Sequence, residues 1–132
     1  MPAIRTSQSD QFALAVEDLV EVTGLTAGLS ISPDGSEQGV AVEMSSREPW
    51  PAAVHPRSSL SPREAQALIA SETDERAHIV VANQIAAEAK EHLAAAGWSW
   101  LDRRSELRLH HDAATTEIRL APGGLHPEPR LR

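Results

Sequence analysis

The segment from His78 to His111, HIVVANQIAAEAKEHLAAAGWSWLDRRSELRLHH, constrains this chain more than any other. Ile79-Val80-Val81-Ala82 is a short continuous apolar run, the pattern of a strand covered on both faces. Gln84 to Ala96 is rich in alanine and puts Ile85, Ala89, Leu93 and Ala96 on one side of a helix, which Gly97 ends. Trp98-Ser99-Trp100-Leu101 reads as a second strand, finishing at Asp102, with both tryptophans on one face and Ser99 on the other. The short helical crossover makes the two strands parallel, with a right-handed connection. Glu106 to His110 and Thr116 to Leu120 both alternate and extend the sheet antiparallel.

Upstream, Ser9 or Asp10 can cap a helix from about Asp10 to Val22, with Phe12, Val16, Leu19 and Val20 as its apolar stripe and Gly24 in the left-handed position that ends it. Leu29 and Ile31, then Val40 and Val42, alternate with small or polar residues around Pro33-Asp34-Gly35, which predicts an antiparallel hairpin. Residues 45–60, SSREPWPAAVHPRSSL, are rich in Pro and Ser and show no periodicity, so a long loop is expected, with Trp50 either pinning it to the core or exposed for recognition. Ser61-Pro62-Arg63-Glu64 is a capping box with proline at the first helical position, and the helix it starts runs to about Ser71. The expected order is α-β-β-α-β-α-β-β-β: one α/β or α+β domain over residues 9–121, a single mixed sheet flanked by helices. Residues 1–8 read as a loose tail and 122–132 as a disordered tail or linker.

Composition narrows the functions. The only aromatic residues are Phe12 and Trp50, Trp98 and Trp100, so Leu, Ile, Val and Ala must build the core. Cysteine is absent, which excludes disulfides, thiolate zinc sites and cysteine nucleophiles. No apolar run approaches the roughly 18 residues of a membrane span and the N-terminus has no apolar leader, so a soluble cytoplasmic protein is expected. The net charge of −7 makes the chain a poor non-specific ligand for nucleic acid. Arg103, Arg104 and Arg108 form a possible phosphate-contacting group, or a solvated turn with carboxylate partners. Ala, Arg and Pro are abundant and Lys90 is the only lysine, a composition typical of high-GC genomes.

The familiar catalytic loops, GxGxxG, the Walker loop, HExxH and GxSxG, are missing. The spacing of the six histidines does not suggest a metal site, since His110 and His111 are adjacent on a strand and point to opposite faces. Carboxylates offer more. Metal-dependent nucleases gather acidic groups and a lysine at one sheet edge, where a divalent cation activates water. Asp34 follows the first strand and Glu43 lies in the second, and Glu17 or Glu21 can reach in from the first helix. Pro-Asp-Gly is equally an ordinary turn, and Asp102 can cap a turn or pair with an arginine.

An acidic helix, a hairpin, a strand reading apolar-x-apolar-Glu-x-Lys, a helix and a buried strand form the core order of the restriction-endonuclease-like, or PD-(D/E)xK, superfamily. GVAVEMSS resembles the strand in which that family reads VEVKS. His78 to Leu109 further resembles a segment of bacterial winged-helix regulators of the type IV abortive-infection antitoxin-like kind, where a buried strand and helix precede a phrase like "gisylDlaGN". The resemblance spans about Val40 to Leu109. It implies a restriction-endonuclease-like fold in a bacterial regulatory or defence protein that usually carries a separate DNA-binding domain. Ser45 stands where the family has its lysine, and Arg104-Ser105 where the regulators have Gly-Asn. A serine supplies no cation, so the expectation is a nuclease-like domain without catalytic residues or cofactor. It would act by contacting another protein, a second copy of itself, or DNA beside a separate domain. The alternatives are a Mg²⁺-dependent nuclease using Asp34, Glu43 and Glu17, with Lys90 the only lysine able to stand in, and a ligand-sensing domain with Trp50, Trp98 and Trp100 lining a pocket.

Overall fold

The computed structural model describes residues 8–36, 38–44, 47–121 and 124. The tails expected at 1–8 and 122–132 fall almost entirely outside them, as does Ser45. The chain runs α1 (Gln8–Thr23), β1 (Leu29–Pro33), β2 (Gly39–Met44), β3 (Trp50–Leu60), α2 (Pro62–Ser71), β4 (Ala77–Ile85), α3 (Ala87–Ala95), β5 (Ser99–Asp102), β6 (Glu106–His111) and β7 (Ala114–Arg119). All seven strands form one mixed sheet in chain order, β1-β2-β3-β4-β5-β6-β7. β3, β4 and β5 are parallel, and every other neighbouring pair is antiparallel.

The expected order lacked one strand. Residues 50–60, expected to be a loop, form β3, the longest strand and a central one. Its two prolines explain both the error and the fit. β3 pairs with β2 through Trp50–Ala53 and with β4 from Ala52 onward. Pro51 precedes the β4 pairing and Pro56 follows the β2 pairing, so each lies where the strand has a neighbour on one side only and its missing N–H interrupts no ladder. Trp50 is buried and stacks on His111 of β6, with ring centroids 4.3 Å apart.

Three smaller expectations also shift. α1 starts at Gln8, ahead of the expected cap, and buries Ala15, Val16, Leu19 and Val22 while Val20 is exposed. Gly24 does not take a positive φ, whereas Gly28, Gly35 and Gly97 do. β4 continues through Asn83 and Gln84, so α3 begins at Ala87 rather than at Gln84. The capping box stands as expected: Ser61 N donates to Glu64 Oε1 at 2.8 Å, and Glu64 N donates to Ser61 Oγ at 3.2 Å.

The sheet divides two cores. On one face α1 covers Ile31, Val42, Val54, Ile79, Val81, Leu101 and Leu107. On the other, α2 and α3 cover Leu60, Val80, Ala82, Ile85, Trp98 and Trp100, with Ala65, Ala89 and Leu93 facing inward from the helices. Strand alternation then fixes where polar side chains go. His55, His78 and Asp102 fall on the α2/α3 face and are buried there. Among the described residues no helix is long and apolar enough to cross a membrane.

Candidate functional site

The acidic residues singled out in the sequence do not converge. Asp34 is exposed at the β1–β2 turn, where its Oδ1 accepts from Ser36 N at 2.8 Å and Ser36 Oγ at 2.6 Å. These hydrogen bonds hold its carboxyl below the usual value. Glu43 lies opposite Ser30, three pairs along the ladder from Pro33, or about 10 Å from the turn. Ser30 Oγ donates to its Oε1 at 3.4 Å. Val42 and Met44 point toward α1, so Glu43 points to the other face, while Glu17 is exposed on α1.

The arginines are engaged. Arg103 Nε donates to Asp18 Oδ2 at 2.6 Å, and its Nη1 to Asn83 Oδ1 at 3.1 Å. Arg104 Nη1 donates to Gln84 Oε1 at 2.6 Å. Arg108 lies over the Trp100 ring, 5.2 Å from its centroid, with Nε 3.5 Å from Glu117 Oε2. Asp102 caps the β5–β6 turn through Arg104 N (2.9 Å) and accepts from Ile85 N (3.0 Å).

Two polar clusters remain, both on the α2/α3 face. The first lies at the C-terminal ends of β4 and β5. Lys90 Nζ reaches Glu106 Oε2 at 2.8 Å, Ser105 Oγ at 3.1 Å and Asp102 Oδ2 at 3.2 Å. Trp100 Nε1 also donates to Glu106 Oε2, at 3.2 Å. Burial opposes the Lys90 charge, but the bond to Glu106 and the nearby Asp102 outweigh it and hold the ammonium above its usual value. Burial likewise opposes ionisation of Glu106, and Lys90, Ser105 and Trp100 bring its carboxyl below the usual value. The sole lysine therefore serves Asp102 and Glu106.

The second cluster lies at the N-terminal ends of the same strands, below the C-terminal end of α2. His55 of β3 and His78 of β4 approach with Nε2 and Nδ1 3.0 Å apart. Trp98 stacks on both rings, with centroids 5.3 Å and 4.4 Å away. Glu72, the residue that ends α2, places Oε2 3.9 Å from His55 Nε2. Burial, with His78 adding to it, pushes the His55 pKa down to about 4 and keeps the ring neutral near pH 7.

The chain matches no family model, no curated protein and no solved structure. The site must therefore be read from its own chemistry. Among the described residues, His55, Glu72 and His78 are the one group of three or more such side chains whose donor atoms lie close enough for a single ion, all within 4.8 Å of one another. Sequence reasoning missed this group because His55 sat in the segment taken for a loop. The one available signal was His55 in an apolar stretch, paired with a histidine opening the next buried strand.

Proposed function

We propose that this domain is a nuclease-like interaction module of a bacterial regulatory or defence protein, without nuclease activity. The observation that carries the reading is the order α1, hairpin β1–β2, β3, α2, β4. That succession repeats the core order behind the resemblance drawn from the sequence. In that order the strand after the hairpin is the one reading apolar-x-apolar-Glu-x-Lys. With β3 present, that position falls on Ala52-Ala53-Val54-His55-Pro56-Arg57 rather than on Glu43 and Ser45.

On this alignment histidine replaces the carboxylate and arginine the lysine. A buried neutral imidazole is a poor partner for Mg²⁺, which takes oxygen ligands. Arg57 is exposed and turns back to donate to the Pro56 carbonyl at 2.7 Å. Asp34 and Glu43 lie apart, and Lys90 is held by two other carboxylates. The net charge of −7 favours a protein surface, or a second copy of the chain, over bare DNA as the thing contacted. The reading places the domain in the cytoplasm, beside a DNA-binding domain where DNA is addressed.

Incubating supercoiled plasmid with the chain and Mg²⁺ or Mn²⁺ tests it. No nicking is expected, and DNA retention should be weak at 0.15 M salt. Cleavage that Glu43→Ala abolishes would restore the nuclease reading, and tight binding with a steep salt dependence would remove the preference for protein partners.

A further inference from the structure

We propose that His55, His78 and Glu72 form a binding site for a divalent first-row transition metal of the zinc class. The argument begins with a proton. His78 Nε2 lies 3.0 Å from the Asp74 carbonyl oxygen, which can only accept, so Nε2 carries the hydrogen. In the tautomer with that hydrogen alone, the Nδ1 lone pair faces His55 Nε2, 3.0 Å away. Two imidazole nitrogens on one tetrahedral zinc ion stand about 3.3 Å apart, so a small opening of the pair admits the ion, the proton of His55 moving from Nε2 to its other ring nitrogen, Nδ1.

The surroundings suit a metal. Metal-binding histidines ordinarily donate their other N–H to a carbonyl or carboxylate, which fixes tautomer and ring orientation, and Asp74 O does this for His78. Trp98 stacks on both rings and limits their rotation. The site lies at the C-terminal end of α2, where the helix carbonyls favour a cation, and Glu72 adds a carboxylate. Two nitrogens and one oxygen select zinc, cobalt, nickel or copper over magnesium or calcium. Three protein donors leave a fourth position for water or an incoming ligand. The ion would tie the end of α2 to the two central strands. This site is independent of the proposed function above: plasmid cleavage decides that reading, and metal affinity decides this one.

Titration of the untagged, chelator-stripped full chain with Co²⁺, followed by Zn²⁺ competition, is the test. One equivalent of Co²⁺ should give visible d–d bands of four-coordinate intensity that Zn²⁺ removes, and Zn²⁺ should raise the melting temperature. His78→Gln should abolish the bands. Glu72→Gln, on a partly exposed side chain that leaves the core intact, should weaken binding by more than about tenfold. His110→Gln, at a partly exposed histidine outside the group, should change nothing. No saturable one-to-one binding by the wild-type chain, or binding undiminished in Glu72→Gln, would overturn the proposal.

Discussion

The two polar clusters on the α2/α3 face lie on the same strands, about 10–13 Å apart along β5, and solve burial in opposite ways. At the C-terminal end, a lysine, two carboxylates, an indole N–H and two backbone N–H groups meet, and donors match acceptors. At the N-terminal end the His55 ring is held neutral by burial, and its Nε2 lies in hydrogen-bond contact with His78 Nδ1. The first arrangement is closed by its own charges. The second brings three potential ligand atoms within 4.8 Å of one another, and an ion can enter it by displacing a proton rather than by breaking an ion pair. Burial alone therefore does not distinguish scaffold from site; the balance of donors and acceptors does.

The comparison can be broken most forcefully at Lys90. Lys90→Met leaves Asp102 and Glu106 facing each other without a cation, and should cost about 3–5 kcal/mol in urea unfolding. A loss under about 1 kcal/mol would mean that water already screens the cluster as it does a surface pair.

The next largest effect is a difference in pH window, read in the presence of chelator. His55 binds its proton less tightly folded (about 4) than unfolded (6.5). The unfolded chain thus takes up protons first as the pH falls. Stability from the neutral ring is complete above about pH 6.5 and is lost toward pH 4, a change of about 3 kcal/mol. Glu106, held below its usual 4.5, contributes above that pH and loses its share only as acidification continues. Urea midpoints measured from pH 7 to 3 should show two successive losses, and His55→Phe should erase the earlier one.

At neutral pH His55→Phe keeps the stack on Trp98 but leaves His78 Nδ1 without its donor, for a loss of about 1–2 kcal/mol. The smallest effect sharpens the contrast. Glu72→Gln should leave metal-free stability within about 0.5 kcal/mol of wild type, because the side chain is partly exposed and a glutamine oxygen can still accept from Asp74 N.

Local signals were legible in the sequence wherever one rule acted alone. The capping box at Ser61–Glu64, the Pro-Asp-Gly hairpin and the parallel β4–α3–β5 unit all formed as their residues imply. β3 was not legible, because Pro51, Pro56 and two serines outweigh a short apolar run in any local reading. Only the staggered pairing with β2 and β4 makes those prolines harmless, and that stagger is a tertiary fact. The same gap hid the site. His55 and His78 are 23 residues apart, and nothing along the chain shows that their strands are neighbours. Asp34 and Glu43 illustrate the converse. They are close in sequence, yet register and alternation send them to different places.

The strands of the sheet stand in the order in which they are synthesised. Each strand after the first therefore finds a neighbouring strand already made. Such a chain keeps its loop closures short and extends one growing edge, which lowers the entropic barrier to pairing and the time apolar strands spend uncovered. His55 and His78 fall on consecutive strands of that series, so the pair is complete once β4 has docked, before α3 and Trp98 close over it.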